Sequence, residues 1–530
     1  MLAALSSRVC LFVGAFFLLA VQSPVQAQDL NLSEGDFFEG EPYLAVNPTD
    51  PQHVVVAWMG FVFNSGSALT IKVSSSFDGG LSWSAPVAMP HIAPDYKSAD
   101  PCLVFDAQGK LYLGYIDYKE NPYAGGVYLF TSTDGGLTWS DATEMINVND
   151  DPGETPIDRP WLAVDPVGQY LYLTTMTPKD EPAPNRSYVS ISTDGGQSFN
   201  WRYLDDTLNY SAGEIMQPMA TPTTWGSTLL AVYPSFVTTP FPIARYVLAR
   251  STDAGQNFSY QEVFAIQQGQ AAQNDSAKLA YKLLHNPADT NHLAFLYFAN
   301  LHGDIDLFLR ESFNQGGTWS APLRINDDPT GNGVLQDMVW ADFSADGDLL
   351  ISWRDRRESG GSGYQQPIGF YAAFRDKDSS AFAPNFSLSD TLVAYDPILE
   401  SAGNDFMGLA LRNDTLYAAW GNTIDGSLDI WFLKMSAVTG TITHRGRITS
   451  PAAALEVFPN PATHRLRLRN PEGRPIAAIA LLNSQGQQVL PRRQFNTAEA
   501  ELSLAGLPAG TYFVVAWVEG QQVLHRVIKE

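Results

Sequence analysis

The sequence predicts an all-β protein, built as a β-propeller and followed by a small C-terminal β-sandwich. A short turn motif recurs about every sixty residues, which is the signature of a repeat architecture. Each copy follows a group of short apolar strands that are separated by Gly-rich turns. Helical periodicity is nearly absent between residues 38 and 450, which favours an all-β fold there. This region is expected to form a propeller of seven blades, with six blades as the alternative.

The turn motif reads Ser-Thr-Asp-Gly-Gly-Leu-Thr-Trp over residues 132–139, its clearest copy. Asp and Ser side chains hydrogen-bond backbone N–H groups two residues on, and Gly supplies the positive φ that a tight turn needs. The motif therefore indicates a hairpin turn in which the acidic or amide residue has a structural role. That residue occurs at Asp78, Asp134, Asp194, Asp253 and Asn314.

The recurring turn is similar to the Asp-box, and the chain therefore resembles the sialidase and neuraminidase superfamily of Asp-box (BNR repeat) propellers. The resemblance implies a propeller over residues 28–450. Sialidases proper have six blades, whereas seven units can be traced here by the polar residues that open their first strands. These residues are Glu41, Asp100, Asp158, Gln217, Lys278, Asp337 and Asp405. The extra unit is a departure from that family.

Charge and the N-terminal segment predict an exported protein. The net charge of −24 argues against nucleic acid or an anionic membrane as the main partner. Residues 1–27 are expected to be a signal peptide, because Arg8 precedes an apolar run and Val25-Gln26-Ala27 forms a small-residue cleavage site. The run is too short for a lasting membrane span, so no transmembrane segment is expected in the mature chain. Cys102 is then its one cysteine, which we interpret as a buried, inert thiol.

Residues 451–530 are predicted to form a separate β-sandwich domain after an Ala- and Pro-containing linker. Two phrases, Val-Phe-Pro-Asn-Pro-Ala over residues 457–462 and Leu-Pro-Ala-Gly-Thr-Tyr over residues 507–512, resemble the C-terminal sorting domain of the type IX secretion system. The resemblance implies that the type IX machinery handles residues 455–530. It also implies that the protein is secreted or held on the outer surface of a Gram-negative bacterium. An ordinary carbohydrate-binding sandwich is the alternative.

Blade geometry predicts where a ligand site would lie. Because the Asp-box joins the third and fourth strands of a blade, first-strand starts and second-strand ends lie on the opposite face, over the axis. Ligands of propellers generally collect there. The first-strand residues on this face are Glu41, Asp100, Asp158, Arg159, Asp337 and Asp405. The second-strand residues are Trp58, Asp117, Tyr118, Tyr233, Trp353, Arg354, Asp355, Arg356 and Trp420.

Two interpretations of these residues stay open. Crowded carboxylates raise one another's pKa or recruit a cation or an arginine, which favours a binding site and, as a further hypothesis, a Ca²⁺ site. Alternatively, an Asp at the start of each inner strand bonds the next blade and fastens the ring. Trp353 could likewise stack on a sugar or pack in the core. No other metal or cofactor is predicted, since no Cys/His cluster has zinc spacing.

Catalysis of the sialidase type would need further groups. The resemblance implies three arginines that clamp a substrate carboxylate, a Tyr nucleophile assisted by a Glu, and an Asp acid/base. The Arg-Ile-Pro start of that family is missing, since the first strand opens with Gly40, Glu41 and Pro42. The candidates for a substitute set are Arg159, Arg354 and Arg356 with Tyr233 and Asp355, although no motif assigns their roles.

Two functions are compatible with these patterns. The first is a secreted or cell-surface sialidase-like propeller that binds an extracellular glycan or glycoprotein, which the missing catalytic signature favours. The alternative is an active exo-α-sialidase-type glycoside hydrolase, which the Arg- and Asp-rich axial face favours.

Overall fold

The computed structural model describes most of the chain from Asp29 onward. The described residues are 29–33, 38–63, 67–178, 182–213, 215, 217–237, 243–266, 281–389, 391–393, 407–423, 427–438, 447–448, 455–471, 473–483, 488–518 and 521–530. The predicted signal peptide and Asp405 lie outside them. All elements of the described residues are β-strands, so the predicted all-β class is confirmed. Within these residues no helix is long and apolar enough to cross a membrane.

Except for one two-stranded parallel pair, the strands before residue 450 form four-stranded antiparallel sheets. The first described strand is β1 (Leu30–Asn31). Sheet 1 consists of β2 (Glu39–Val46), β3 (Val54–Phe63), β4 (Ser67–Ser76) and, after β5 (Ser82–Trp83), β6 (Val87–Ala88). Sheet 2 consists of β7 (Lys97–Phe105), β8 (Leu111–Glu120), β9 (Tyr123–Ser132) and β10 (Thr143–Asn147). Sheet 3 consists of β11 (Asp158–Val164), β12 (Leu171–Met176), β13 (Ser187–Ser192) and β14 (Asn200–Tyr203).

The later sheets repeat this order. Sheet 4 consists of β15 (Thr221–Trp225), β16 (Thr228–Val237), β17 (Ile243–Ser251) and β18 (Ser259–Ala265). Sheet 5 consists of β19 (Lys282–Asn286), β20 (Asp289–Ala299), β21 (Asp306–Ser312) and β22 (Leu323–Arg324). Sheet 6 consists of β23 (Gln336–Phe343), β24 (Leu349–Asp355), β25 (Gly369–Arg375) and β26 (Phe386–Ser387). Sheet 7 consists of β27 (Gly408–Arg412), β28 (Thr415–Asn422) and β29 (Asp429–Ser436), with β1 as its fourth strand.

The first strand of each sheet lies on the inside of the assembly. Among the described residues, these seven strands contact one another in chain order, from β2 to β27, and β27 contacts β2 again. The strands beside them are buried on both faces, which is why β12 and β24 are buried at every position. An inner edge closed on itself in this way leaves one central space that all the inner strands border.

The Asp-box turns hold their shape through local hydrogen bonds. In sheet 1 the Ser76 hydroxyl donates to Asp78 Oδ1 at 2.8 Å, and the Ser82 amide donates to the same oxygen at 2.8 Å. The Gly80 amide donates to Ser76 Oγ at 2.7 Å. Asp134, Asp194, Asp253 and Asn314 accept the corresponding bonds in the next four sheets. The acidic or amide side chain of each turn therefore accepts hydrogen bonds from residues of its own turn.

The C-terminal residues form two further antiparallel sheets. The first has the order β31 (Glu456–Phe458), β32 (Arg465–Arg469), β35 (Glu499–Ser503), and the second has the order β34 (Gln488–Thr497), β33 (Ile476–Asn483), β36 (Gly510–Val518), β37 (Gln521–Lys529). The remaining strand, β30 (Arg447–Ile448), pairs with β5 in parallel. One apolar cluster joins both sheets, because Leu466 and Leu468 pack with Ile479, Val514 and other buried residues.

Candidate functional site

A bulge interrupts the inner strand of four sheets on the face away from the Asp-boxes. Its central residue has a positive φ, namely 55° at Glu41, 52° at Asp100, 48° at Arg159 and 53° at Met338. The pairing register shifts at the same four places. Bulges of this kind re-aim side chains and recur beside functional sites. A non-Gly residue with positive φ is strained, so the rest of the sheet must hold it there.

The bulges correct the sequence alignment of the units by one residue. Asp158 and Asp337 precede their bulge residues and correspond to Gly40 and Ala99, whereas Asp100 is itself the bulge residue. The series Asp100, Asp158, Asp337 is therefore not one structural position. The sequence did carry a signal, because Pro42, Pro101 and Pro160 follow three of the four bulge residues.

Aromatic side chains from distant sheets meet at the centre of the ring. Trp161 of sheet 3 lies 5.1 Å from Trp340 of sheet 6, measured between ring centroids. Tyr43 of sheet 1 meets Trp340 edge to face at 5.3 Å. Because sheets 3 and 6 are not neighbours in the order of inner-strand contacts, a contact between them requires both rings to reach the middle.

Lys282 of sheet 5 reaches the same place. Its Nζ lies 4.2 Å from the Trp161 ring centroid and 4.3 Å from that of Trp340. Burial lowers the pKa of Lys282 to about 7, against the opposing charge of Asp342. The two indole faces favour the protonated amine, each by up to about 2 kcal/mol when desolvated. The centre is thus a cationic, aromatic cluster that the sequence pattern did not single out.

Asp337 joins two of the predicted arginines. Arg354 donates from Nε to Asp337 Oδ1 at 2.8 Å and from Nη2 to Oδ2 at 2.6 Å. Arg356 donates from Nη1 to Asp337 Oδ1 at 3.3 Å and from Nε to the Tyr364 carbonyl at 2.8 Å. Burial alone would raise the pKa of Asp337, but the two guanidinium groups outweigh it and lower that pKa to about 2. All three charged side chains are buried.

Asp355 accepts bonds from its own strand and the following turn. Trp353 donates from Nε1 to Asp355 Oδ2 at 2.7 Å, and Arg357 donates from Nη2 to the same oxygen at 2.8 Å. The Trp353 side chain is fully buried, as is that of Trp420, which stacks on Phe370 with ring centroids 5.1 Å apart. Both tryptophans lie in the packed interior of their sheets, and Trp58 does so too, with its Nε1 donating to Glu39.

Tyr233 and Asp117 are also buried and bonded. The Tyr233 hydroxyl donates to the Tyr210 carbonyl at 2.8 Å, and burial raises its pKa above the usual range. Asp117 accepts from His91 Nδ1 at 2.7 Å and from Ser98 Oγ at 2.9 Å. Asp117 and Ser98 both lie within hydrogen-bond distance of the same ring nitrogen, His91 Nδ1. In a catalytic triad the serine would bond the other ring nitrogen, so these three residues are not arranged as a triad.

The other predicted residues lie at the bulges. Glu41 is buried, whereas Asp100, Asp158 and Arg159 are partly exposed although their strands are innermost. Arg159 lies near Tyr281, where its charge opposes the rise that burial causes in the pKa of that tyrosine. The structure thus brings Arg354 and Arg356 together on one carboxylate and places Arg159 beside Tyr281. Within the described residues, no group of three or more His, Cys, Asp or Glu side chains is arranged to hold a metal ion.

Tyrosines and lysines form a polar patch where sheet 2 reaches this same face. Lys97 Nζ lies 5.0 Å from the Tyr118 ring centroid, and Lys119 Nζ lies 5.8 Å from that of Tyr96. Tyr123 begins β9 beside them and is 55% exposed. Such rings offer an apolar face together with a hydroxyl, which suits a polar ligand with flat apolar sides.

Two family models match the chain. The BNR repeat-like domain matches residues 52–396, and the secretion system C-terminal sorting domain matches residues 456–530. The second match shows that the chain is addressed to the extracellular or cell-surface space through the type IX secretion system, as predicted. No curated protein matches the sequence.

Several solved structures are similar at low sequence identity. A protein of unknown function from Dyadobacter fermentans is 16% identical, with 76% of this chain and 96% of that chain covered and a TM-score of 0.41. The α-L-arabinanase of Penicillium chrysogenum, complexed with arabinobiose, is 16% identical, with 66% and 98% covered and a TM-score of 0.42. The NanB sialidase of Streptococcus pneumoniae is 13% identical, with 77% and 70% covered and a TM-score of 0.38.

The family assignment agrees with the geometry of the repeats. The Asp-box bonds recur in five consecutive sheets, and the matched range begins before the first of these turns and ends after the last. The chain belongs to the BNR repeat-like domain family and ends in a secretion system C-terminal sorting domain.

Proposed function

We propose that the chain is a secreted or cell-surface propeller that binds extracellular glycans without hydrolysing them. The observation that carries this proposal is the pairing of Arg354 and Arg356 with Asp337. Two buried guanidinium groups that already share a carboxylate have donors engaged on it, so a substrate carboxylate would have to displace Asp337 to be clamped by both of them. Tyr233, with its hydroxyl buried and donating to a carbonyl, lacks the accessibility of a nucleophile.

The sheets would be the seven blades of a closed propeller. The contacts among the inner strands and the return of β27 to β2 support this count. Closure would come from β1, which pairs with β29 and so joins the N-terminal strand to the last blade. The two C-terminal sheets would form a sandwich, because their shared apolar cluster lies between them. The type IX machinery would recognise this sandwich.

Glycan contact would use the tyrosine patch of sheet 2. Tyr118 and Tyr123 stand on the face opposite the Asp-boxes, and their rings could stack on sugar faces while lysines contact hydroxyls. Replacing both residues with Ala is expected to lower glycan-array binding of the mature chain at least tenfold. Phe77 supplies a matched control, because it is 50% exposed on an Asp-box turn, and Phe77→Ala should leave binding unchanged.

The alternative, exo-α-sialidase-type hydrolysis, is favoured by one pair of residues. The Tyr371 hydroxyl donates to Glu358, and the Arg357 guanidinium lies 4.3 Å from the centroid of the Tyr371 ring. A tyrosine bonded to a carboxylate can pass its proton to that carboxylate as it attacks. Tyr371 thus combines a carboxylate partner with a neighbouring arginine.

A panel of fluorogenic sialosides separates the two functions. The binding proposal predicts no turnover by the mature chain on any sialoside, together with retained glycan-array binding. Turnover that is abolished by Tyr371→Phe or by Arg354→Ala, in variants whose melting curves show a folded protein, would establish the alternative. Turnover that survives both changes would contradict the binding proposal, and it would also contradict catalytic roles for Tyr371 and Arg354.

A further inference from the structure

Lys282 places an amine at the centre of the ring. Among the described residues, its Nζ contacts two ring faces, and no carboxylate or carbonyl oxygen lies at hydrogen-bond distance. An ammonium group has three N–H donors. Ring faces attract its charge, but they do not accept three directed hydrogen bonds as well as oxygen atoms or anions do.

Lys282 keeps partial exposure at the centre. Tyr43, Lys282 and Asp342 all keep partial exposure, although they belong to the innermost strands β2, β19 and β23. Inner strands are covered by their own sheets on the outside, so this exposed surface faces the central space. A ligand in that space would meet the ammonium group directly.

The nearby charges do not compensate Lys282. Asp342 is the carboxylate whose charge reaches it. Asp342 already accepts from Arg412 Nη1 at 2.9 Å and from the Leu411 amide at 2.9 Å. Lys282, Asp342 and Arg412 together carry one net positive charge. A desolvated charge without a counter-charge is unfavourable, and a mobile anion can supply what the chain does not.

We propose that the central space of the ring is a binding site for a small monovalent anion, with Lys282 Nζ as its hydrogen-bond donor and the rings of Trp161 and Trp340 as walls. One uncompensated positive charge selects a single negative charge. The close approach of Trp161, Trp340 and Tyr43 restricts the site to small ions such as halides, formate or acetate. The proposal goes beyond glycan binding and does not depend on it.

Protonation of Lys282 makes anion binding depend on pH. The pKa of Lys282 is lowered to about 7, so the free protein holds a mixture of amine and ammonium near neutrality. Tyr43, which faces the same space, does not titrate there, because burial raises its pKa far above neutrality. The anion binds the ammonium form, so its affinity should fall about tenfold for each pH unit above 7.

Thermal unfolding of the mature chain in bromide tests the proposal. Bromide replaces a bulky organosulfonate at constant ionic strength, at pH 6 and at pH 8.5. A bound anion stabilises the folded state by mass action, so the melting temperature should rise saturably at pH 6. At pH 8.5 the same rise should need more than tenfold higher bromide.

Three variants make the result specific. Lys282→Met should abolish the bromide response, whereas Lys282→Arg should keep it and lose the difference between pH 6 and pH 8.5, because guanidinium does not titrate there. Lys377→Met, at an exposed lysine paired with Asp378, should behave like the wild type. The proposal is overturned if wild type shows no response at pH 6, or if Lys282→Met responds as wild type does. If Lys282→Met does not fold, equal pH dependence of wild type and Lys282→Arg overturns it.

Discussion

Asp337 is the carboxylate on which two buried guanidinium groups converge. Replacing it with Asn removes the carboxylate that Arg354 and Arg356 share, and breaking a buried ion pair in this way costs about 3–5 kcal/mol. We therefore expect Asp337→Asn to lower the free energy of unfolding in urea by that amount at pH 7. Asp346→Asn, at an exposed carboxylate in the same sheet, is the matched control and should change it little.

The stabilisation that Asp337 gives the folded protein should be lost at low pH. Its pKa is lowered from 3.8 in the unfolded chain to about 2 in the folded protein. The stabilisation is therefore fully present above pH 3.8 and is lost as the pH falls towards 2. Urea unfolding at pH 7, 4 and 2.5 should show the difference between wild type and Asp337→Asn shrinking only in the last step. A difference that is constant across these pH values would contradict the lowered pKa.

Cys102 should be chemically inert while the protein is folded. Its side chain is fully buried, its Sγ lies 3.4 Å from the Gly114 carbonyl oxygen, and burial raises the pKa of the thiol to about 12. The thiolate, which is the reactive form, is then scarce at neutral pH. An aromatic disulfide reagent is expected to modify no thiol in the folded mature chain and one thiol in urea. Rapid reaction without denaturant would show that Cys102 is accessible.

At the scale of the strand, the bulges place side chains at a backbone cost. Asp100 has a φ of 52°, a region that Asn tolerates and that a β-branched residue avoids. Asp100→Asn and Asp100→Val both remove the charge, so their difference isolates the backbone. The Val variant is expected to be less stable than the Asn variant by about 1–2 kcal/mol in urea unfolding. Equal stabilities would show that the bulge rearranges without strain.

The packing of β27 against β2 needs a residue without a side chain. A Cβ at Gly408 would lie 2.3 Å from Leu44 Cβ and 2.6 Å from the Leu44 backbone nitrogen. Gly408→Ala must push these strands apart, and overpacking of this kind costs about 1–3 kcal/mol. Gly369→Ala is a matched control, because its nearest neighbour would be at 3.4 Å and its φ is not positive. A melting temperature that falls only for Gly408→Ala is the expected result.

At the scale of the molecule, sheet 7 joins the early strand β1 to the late strands β27–β29. The pairs Leu30 with Phe432 and Asn31 with Trp431 attach β1 to β29. Asn31 Nδ2 and Ser33 Oγ both donate to the Asp429 carboxylate, at 2.9 and 3.0 Å. Residues 29–33 therefore fasten the last sheet to the first part of the chain, and little else of the N-terminal segment is described.

Removal of residues 29–33 from the mature chain should open this closure. The loss of β1 leaves the edge of β29 unpaired, and we expect a lower melting temperature and faster proteolysis of sheet 7. The double variant Asn31→Ala, Ser33→Ala should have a smaller effect in the same direction, since it removes the side-chain bonds to Asp429 but keeps the strand. An unchanged melting curve after the deletion would contradict closure by β1.

The turns and the strand order could be predicted from the sequence because the interactions that shape them are local. Ser76, Asp78 and Gly80 bond one another within a few residues, and the same letters recur in each copy. The register at the bulges could not be predicted in the same way, since Asp100 and Asp158 look equivalent in sequence and differ by one position in pairing. A period of about sixty residues locates a strand but tolerates a slip of one residue, and such a slip turns the side chain to the other face.

The all-β class, the family of the repeats and the sorting domain can be predicted from the sequence, because contiguous residues carry the motifs for each of them. The side chains that meet at the axis can be identified only in the folded protein. Lys282 lies between Trp161 and Trp340, and β1 joins β29, although these partners are far apart along the chain. Contacts of this length depend on how the sheets close around the centre, and no local pattern of residues records that closure.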